Sequence, residues 1–376
     1  MSKANRNKES KKPLSKKRLA LRIVLCTLGA VILIVAGYLL YVVVSYKRVP
    51  DNQVLSVDVV DVADPYIETD TTYRIISYNI GFGAYTPDYS FFMDGGKSSW
   101  AKSESALNEN LSAMTAWLCG QELDFALFQE VDVDGTRTYH VNELSYLEDN
   151  LLFSNYTFAQ NFDSAFLFYP LTEPHGANKS GILTGSNVAI TSALRRSLPV
   201  SDSFSKLVDL DRCYSISRIP VSDGKELVLF NVHLSAYGSD ESVREGQLGM
   251  LTADLQAEYD KGNYVICGGD FNHNLRIGGS EKAPDWALPF PREKLPSCMT
   301  IAFDLLNGQE GSGLFIDHNS CRNADEPYDP NTTFTVMADG FIVSDNVRVI
   351  SYESVDLGYA YSDHDPVLME FELIGG

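Results

Sequence analysis

Positive charge is scarce over most of this chain. The 376 residues hold 30 Lys and Arg against 50 Asp and Glu. Residues 1–48 take 11 of the bases and one acid, which leaves 19 bases, 49 acids and a net −30 beyond them. A broad cationic surface for nucleic acid is thereby excluded, although a small basic patch beside a site is not. Cysteine is also sparse. Six are spread along the chain with no CxxC or Cys/His spacing, so neither a dense disulfide framework nor a zinc site is indicated. Internal repeats are lacking, and no Ser or Cys nucleophile arrangement stands out.

Long apolar runs are absent except for one. Ile23 to Tyr46 is uncharged and mostly apolar for 24 residues, about 36 Å as a helix, enough to cross a bilayer with some tilt. Its apolar side chains fall all the way round, as lipid on every side requires. Nine Lys or Arg precede it in residues 1–22, Lys47 and Arg48 close it, and no Ala-x-Ala-like cleavage site follows. The reading is an uncleaved signal anchor in the plasma membrane, single-pass, with its cationic side in the cytoplasm and the rest outside. The expected organisation is a basic tail (1–22), a transmembrane anchor (23–46), a stalk rich in Asp, Val and Pro (47–70) and one domain (71–376). Cys298 and Cys321 fall in a polar insertion on the oxidising side, which makes them candidates for a disulfide that spacing alone does not establish.

Short β-branched or aromatic runs bounded by Gly, Pro, Asn or Asp predict strands at Tyr73–Asn79, Phe125–Gln129, Asn187–Thr191, Ser215–Val221, Glu226–Leu234, Tyr264–Gly268, Gly340–Ser344 and Val367–Leu373. Helical spacing predicts helices over Ser103–Cys119 and Glu241–Tyr259. The alternation implies a mixed, layered α/β domain. Asn274 to Thr335 reads as a long elaborated loop.

Six strands end in side chains that suit a strand interior poorly. "YRIISYNI" delivers Asn79 and "FALFQEVD" delivers Glu130. "LVLFNVHLS" places Asn231 and His233 two apart on one face, and "YVICGGDFNHN" does the same with Asp270 and Asn272. "MADGFIVS" supplies Asp339, and "YSDHDPV" supplies Asp363 and His364. Singly, each reads as a cap or turn residue. Together, at the ends of apolar strands, they converge on one sheet edge, where sites are built. Carboxylate and amide oxygens suit Mg²⁺ or Mn²⁺, and with no protein nucleophile the attacker is an activated water. The set fits metal-assisted hydrolysis of a phosphate ester.

The motifs "SYN" (77–79), "QE" (129–130), "NVHL" (231–234), "GDFN" (269–272), "DGFIVS" (339–344) and "SDHDPV" (362–367) make the chain resemble the endonuclease/exonuclease/phosphatase superfamily. The resemblance implies a four-layer α/β sandwich, two packed mixed sheets flanked by helices, preceded here by one transmembrane helix. It implies Glu130 as principal metal ligand with Asn79 and Asp363 near the same Mg²⁺ or Mn²⁺. Asp270 would deprotonate or orient the water and Asn272 would position it or the phosphate. His233 and His364 would stabilise the transition state, with Asp339 holding His364. An acid partner for His233 cannot be placed from the sequence, and Asp365 reads as capping the turn before Pro366. His175, Asn178 and Lys179 could line the cleft or belong to a solvated loop. The substrate expected first is nucleic acid, then a phospholipid, then a phosphorylated metabolite. No obligate protein partner is evident, and a non-catalytic binding module is the alternative of another class.

Overall fold

The computed structural model describes residues 15–201, 203, 206, 209–235, 241–277, 284, 286–306, 315–316 and 318–375. The chain divides into two units, Met1–Tyr46 and Lys47–Gly376. In the first, Lys16–Ser45 forms one helix, α1, whose N-cap Ser15 side chain accepts from the Arg18 amide. Its best 18-residue window has a mean hydropathy of 2.7, so it is long and apolar enough to cross a membrane. The basic residues 3–12 lie outside the described residues.

The second unit contains β1 (Gln53–Leu55), β2 (Asp58–Val59), β3 (Tyr73–Asn79), β4 (Phe125–Gly135), β5 (Asn155–Asp163), β6 (Asn178–Ser186), β7 (Ser192–Ser197), β8 (Cys213–Pro220), β9 (Glu226–His233), β10 (Tyr264–Asp270), β11 (Met299–Ile301), β12 (Phe315–Ile316), β13 (Cys321–Arg322), β14 (Thr335–Val336), β15 (Asp339–Ser344), β16 (Val347–Ser354) and β17 (Val367–Leu373). Its helices are α2 (Glu104–Cys119), α3 (Glu143–Asn150), α4 (Glu241–Asp260) and α5 (Ala302–Leu306). One mixed sheet runs β1-β7-β8-β9-β10-β15-β11 and the other β12-β16-β17-β3-β4-β6-β5-β2. The sheets are flanked by helices, the α/β sandwich expected.

Two parallel pairs lie at its centre, β9 with β10 and β3 with β4. Parallel strands are covered on both faces and therefore read as continuous apolar runs, which is what Leu227–Phe230 and Val265–Cys267 are; all seven are essentially inaccessible. On one side α4 buries Leu248, Leu251 and Leu255; on the other α2 buries Leu107, Leu111, Met114 and Leu118 at helical spacing. Ser103 caps α2 by accepting from the Ala106 amide at 3.1 Å, a contact that contributes about 1 kcal/mol.

Several expectations need correction. Asn187–Thr191 is the connection between β6 and β7; Val188 and Ile190 point into the core from it, which explains its apolar character. Residues read as a stalk are not a free spacer: β1 pairs with β7 and β2 with β5, extending both sheets. The Asn274–Thr335 stretch carries β11, α5, β12 and β13. Cys298 and Cys321 are both free thiols. They sit at opposite ends of β15, Cys298 bonded through its carbonyl to Asp345 and Cys321 bridged to His364. Six strand residues span about 17 Å, far beyond the 7 Å a disulfide tolerates between Cα atoms.

Candidate active site

The strand register assembles the site. Asp270 lies directly opposite His233 on β9 and Asp339 on β15, so three functional side chains occupy one row across the first sheet. Asn79 ends β3 in register with Gln129 on the second. Gly269 makes the row possible: its φ is +145°, and a Cβ there would stand 2.0 Å from the Val232 carbonyl oxygen. The backbone that approaches Gly269 so closely is that of β9.

Glu130 reaches the row through a break in pairing. Phe128 pairs with Leu183 and Val131 with Gly181, so Gln129 and Glu130 together face one residue of β6. Such a bulge redirects a side chain, and Glu130 adopts φ +57°. Asn272 is likewise at φ +50°. Positive φ in residues other than glycine is strained and clusters where function requires it. Below the bulge, Asn231 ties the sheets together, donating to the carbonyls of Phe128 and Leu183 and accepting from Gln129 at 2.8 Å.

The side chains converge. Asn79 Nδ2 donates to Asp270 Oδ2 at 3.1 Å and Glu130 Oε1 at 3.3 Å, and stands 3.4 Å from His364 Nε2. Its Oδ1 accepts from the Gly81 amide, so here it serves the carboxylates as a donor; a half-turn of the amide would present Oδ1 to a cation instead. Asn272 holds both Asp270 oxygens, through its backbone N–H at 2.9 Å and its Nδ2 at 3.1 Å. His364 Nδ1 lies 2.7 Å from Asp339 Oδ2, which also accepts from Ser320 Oγ at 2.8 Å. His233 Nε2 is 3.5 Å from Asp270 and 3.9 Å from Glu130. Asp363 lies against Gly81, whose φ of +53° and 2.9 Å clearance to Asp363 Oδ1 leave no room for a side chain.

Burial sets the protonation states. It raises Glu130, with Asp363 adding to the rise, and it raises Asp363 as well. Asp270 is pushed up to about 7 by burial and by Asp339, against the lowering effect of His364. Burial would lower His364, but Asp339 and Asp270 carry it well above the ordinary histidine value, so it is imidazolium. His233 is held well below that value by burial, then by Arg212 and His364. It is neutral, and its Nδ1 has no partner among the described residues.

Residues 76–364 match the sequence pattern described as the Endonuclease/Exonuclease/phosphatase family. The chain belongs to this family. Members are hydrolytic phosphoesterases that depend on a divalent metal, and so this chain is an enzyme of that class. Among solved structures, an endonuclease/exonuclease/phosphatase from Beutenbergia cavernae is similar over 81% of this chain and 72% of its own, with 16% identity and a TM-score of 0.55. One from Bacteroides vulgatus matches over 81% and 100%, with 16% identity and a TM-score of 0.51. A Leptotrichia buccalis family protein matches over 80% and 100%, with 12% identity and a TM-score of 0.51. These likenesses concern the fold. No curated protein matches the chain by sequence.

The residues present fit a family metal. Asp363 adds to the rise of Glu130, and no Lys or Arg forms an ion pair with either among the described residues. Two neighbouring, partly buried carboxylates, on which Arg137, Arg322 and His364 act without a direct Lys or Arg ion pair, are suited to an ion that completes them. Asp270, Asp339 and His364 also bring ligand atoms within 4.8 Å of one another, but the close His364–Asp339 contact already occupies that pair.

All eight candidate residues thus lie together. His175 is buried and lines the same cavity, while Lys179 is exposed on β6 away from it. Asn178 is structural, accepting from the Arg137 amide. Asp365 accepts from the amides of Leu357 and Tyr359 and pairs with His318 at 3.2 Å, anchoring the loop before β17. Sequence reasoning missed most of the rest of the cavity lining, Arg137, Arg322, Arg212, Asn161 and Ser180 among it, since these residues carry no motif of their own.

Proposed function

We propose that this protein is a membrane-tethered, outward-facing phosphoesterase that cleaves phosphodiester or phosphomonoester bonds with an activated water, nuclease-like in its chemistry. The observation that carries the reading is the single row His233, Asp270, Asp339, with Asp270 pushed up to about 7 and His364 kept cationic beside it. A base tuned near neutrality takes a proton most efficiently. A fixed imidazolium stabilises negative charge that grows only in the transition state.

Glu130 and Asp363, with Asn79 beside them, would hold Mg²⁺ or Mn²⁺, which polarises the phosphoryl oxygen when bound. Asp270 accepts the proton of the attacking water. Asn272, through two contacts to that carboxylate, fixes its direction. His364 donates from Nε2 toward the phosphoryl oxygens while Asp339 holds Nδ1. His233, neutral, contributes a hydrogen bond rather than a charge. The anchor reading rests on α1 and on the bases that precede it, which favour a cytoplasmic N-terminus.

A phospholipid substrate is favoured by a separate observation. Phe168, Tyr169 and Leu171 are exposed on one loop, and Tyr169 packs on Phe92 at 5.9 Å beside the cavity wall. The test is the detergent-solubilised chain with Mg²⁺, Mn²⁺ or EDTA against bis-p-nitrophenyl phosphate, DNA, RNA, sphingomyelin vesicles and phosphorylated metabolites, with His364→Ala as control. Metal-dependent hydrolysis lost in the variant supports the reading and names the class. A folded, metal-binding but inert wild type would overturn it in favour of a binding module.

A further inference from the structure

One flank of the cavity is lined by buried hydrogen-bond donors without a partner among the described residues. Arg212, just ahead of β8, is 6% exposed, and its Nε and Nη1 have no partner among the described residues. Asn161 on β5 and Ser180 on β6, each 1% exposed, leave Nδ2 and Oγ unpartnered in the same way. All three line the cavity that also contains Glu130, Asp270 and His364. The two walls are joined, since the Asp211 amide donates to the Asn161 carbonyl at 2.7 Å.

Unpartnered buried donors are rare and call for an explanation. These offer N–H and O–H groups, and among the described residues the acid paired with the guanidinium is the partly exposed Asp209, 3.6 Å from Nη2. The vacancy is therefore suited to an acceptor-only ligand with several oxygens. A guanidinium fork matches a phosphate in geometry as well as charge. The subsite extends sideways from the reacting end: Ser180 is on β6, the strand next to β4 and its Glu130, and Asn161 is on β5, one strand further, a lateral offset of about 10 Å at its far side.

We propose that Arg212, Asn161 and Ser180 form a second anion subsite, which binds a phosphate group of the substrate other than the one that is cleaved. The inference rests on the phosphoesterase reading above. That second phosphate can come from a small bisphosphorylated metabolite or from the neighbouring phosphate of an oligonucleotide, and both present the same oxygens to the same donors. The acidity of the rest of the domain makes such a local cationic pocket the main source of attraction for a polyanion.

The test begins without turnover. Inorganic phosphate is titrated by calorimetry into metal-free, detergent-solubilised full-length protein. Wild type is expected to bind it, Arg212→Met to bind it at least about tenfold more weakly, and Arg212→Lys to fall between, because charge is retained but the fork is lost. Thermal melts check folding; if Arg212→Met does not fold, Asn161→Asp, which sets a carboxylate in the subsite, replaces it. Kinetics then compare glucose 1,6-bisphosphate with glucose 1-phosphate, and thymidine dinucleotide with and without a terminal phosphate. The expected result is a kcat/KM advantage of about tenfold for the doubly charged member of one pair, which collapses toward one in Arg212→Met. The pair that shows it names the source. Phosphate binding that Arg212→Met leaves intact would overturn the subsite, as would equal kcat/KM within both pairs. Phosphate binding lost in Arg212→Met with no hydrolysis of any substrate would support the subsite and sink the phosphoesterase reading instead.

Discussion

The two ends of β10 treat a buried carboxylate in opposite ways. Just before the strand begins, Glu258 is surrounded by cations and donors: Arg218 at 2.5 Å, Lys261 at 2.8 Å and Asn263 Nδ2 at 3.0 Å. Burial would raise its pKa, but Arg218 and then Lys261 bring it down to about 2. Where the strand ends, Asp270 has two asparagines and two histidines but, among the described residues, no Arg or Lys in contact, and it is pushed up to about 7. One end neutralises its charge to hold the fold. The other meets its charge only with the His364 imidazolium at 3.9 Å, which falls short of offsetting burial and leaves the group ready to exchange a proton. The difference separates a structural carboxylate from a reactive one more sharply than burial, since both are buried.

Breaking this contrast at the reactive end has the largest effect. His364→Ala should lower kcat on the order of 10³-fold, with the melting temperature little changed, measured on bis-p-nitrophenyl phosphate. Asp270→Asn should lower kcat by on the order of 10²–10⁴ and remove the rise of the wild-type rate through about pH 7. Because Asp270 has a raised folded pKa, its ionisation opposes folding, and that cost grows as pH rises from the ordinary carboxylate value to about 7. The same substitution should therefore raise the melting temperature of metal-free protein at pH 8.

At the other end, Glu258→Gln should cost on the order of 2–4 kcal/mol, read by denaturant unfolding. Glu258 has a depressed folded pKa, so its contribution is complete above the unfolded value and is lost as pH falls toward about 2. The wild-type advantage over the variant should shrink along that path. Glu130→Gln should shift the metal titration upward by about 10–100-fold, and an unchanged titration would remove Glu130 from the metal site. Smallest is the effect of reductant. With six free thiols, dithiothreitol should leave the melting temperature unchanged, and alkylation under denaturing conditions should label all six without prior reduction.

Much of this was legible in the sequence because the site residues end strands. A short apolar run that stops at Asn79, His233 or Asp270 marks a sheet edge, and the parallel central strands give the clearest apolar runs. Val367–Leu373 was placed to the residue, and α2 and α4 to within one, whereas α1 begins seven residues ahead of the apolar run read as the anchor. β5 and β6 were missed because Thr157, Asn161, Ser180 and Thr184 fill buried positions with polar side chains. Arg212, Asn161 and Ser180 were invisible for a related reason: they come from β5, β6 and the segment just ahead of β8, and acquire meaning only when two sheets bring them to one wall. The state of His233 was also beyond sequence. Its neutrality follows from burial near Arg212, whose position no local pattern reveals.

The Asn231 amide that bonds across both sheets has a mechanical consequence. Half of the reactive groups hang from one sheet and half from the other, so sliding one past the other would separate Glu130 from Asp270 with every strand intact. Asn231 grips Phe128 and Leu183, the strand pair that borders one end of the bulge presenting Glu130. It therefore resists shear at the point where a slip would do most damage, and replacing it with leucine should loosen catalytic alignment before it unfolds anything.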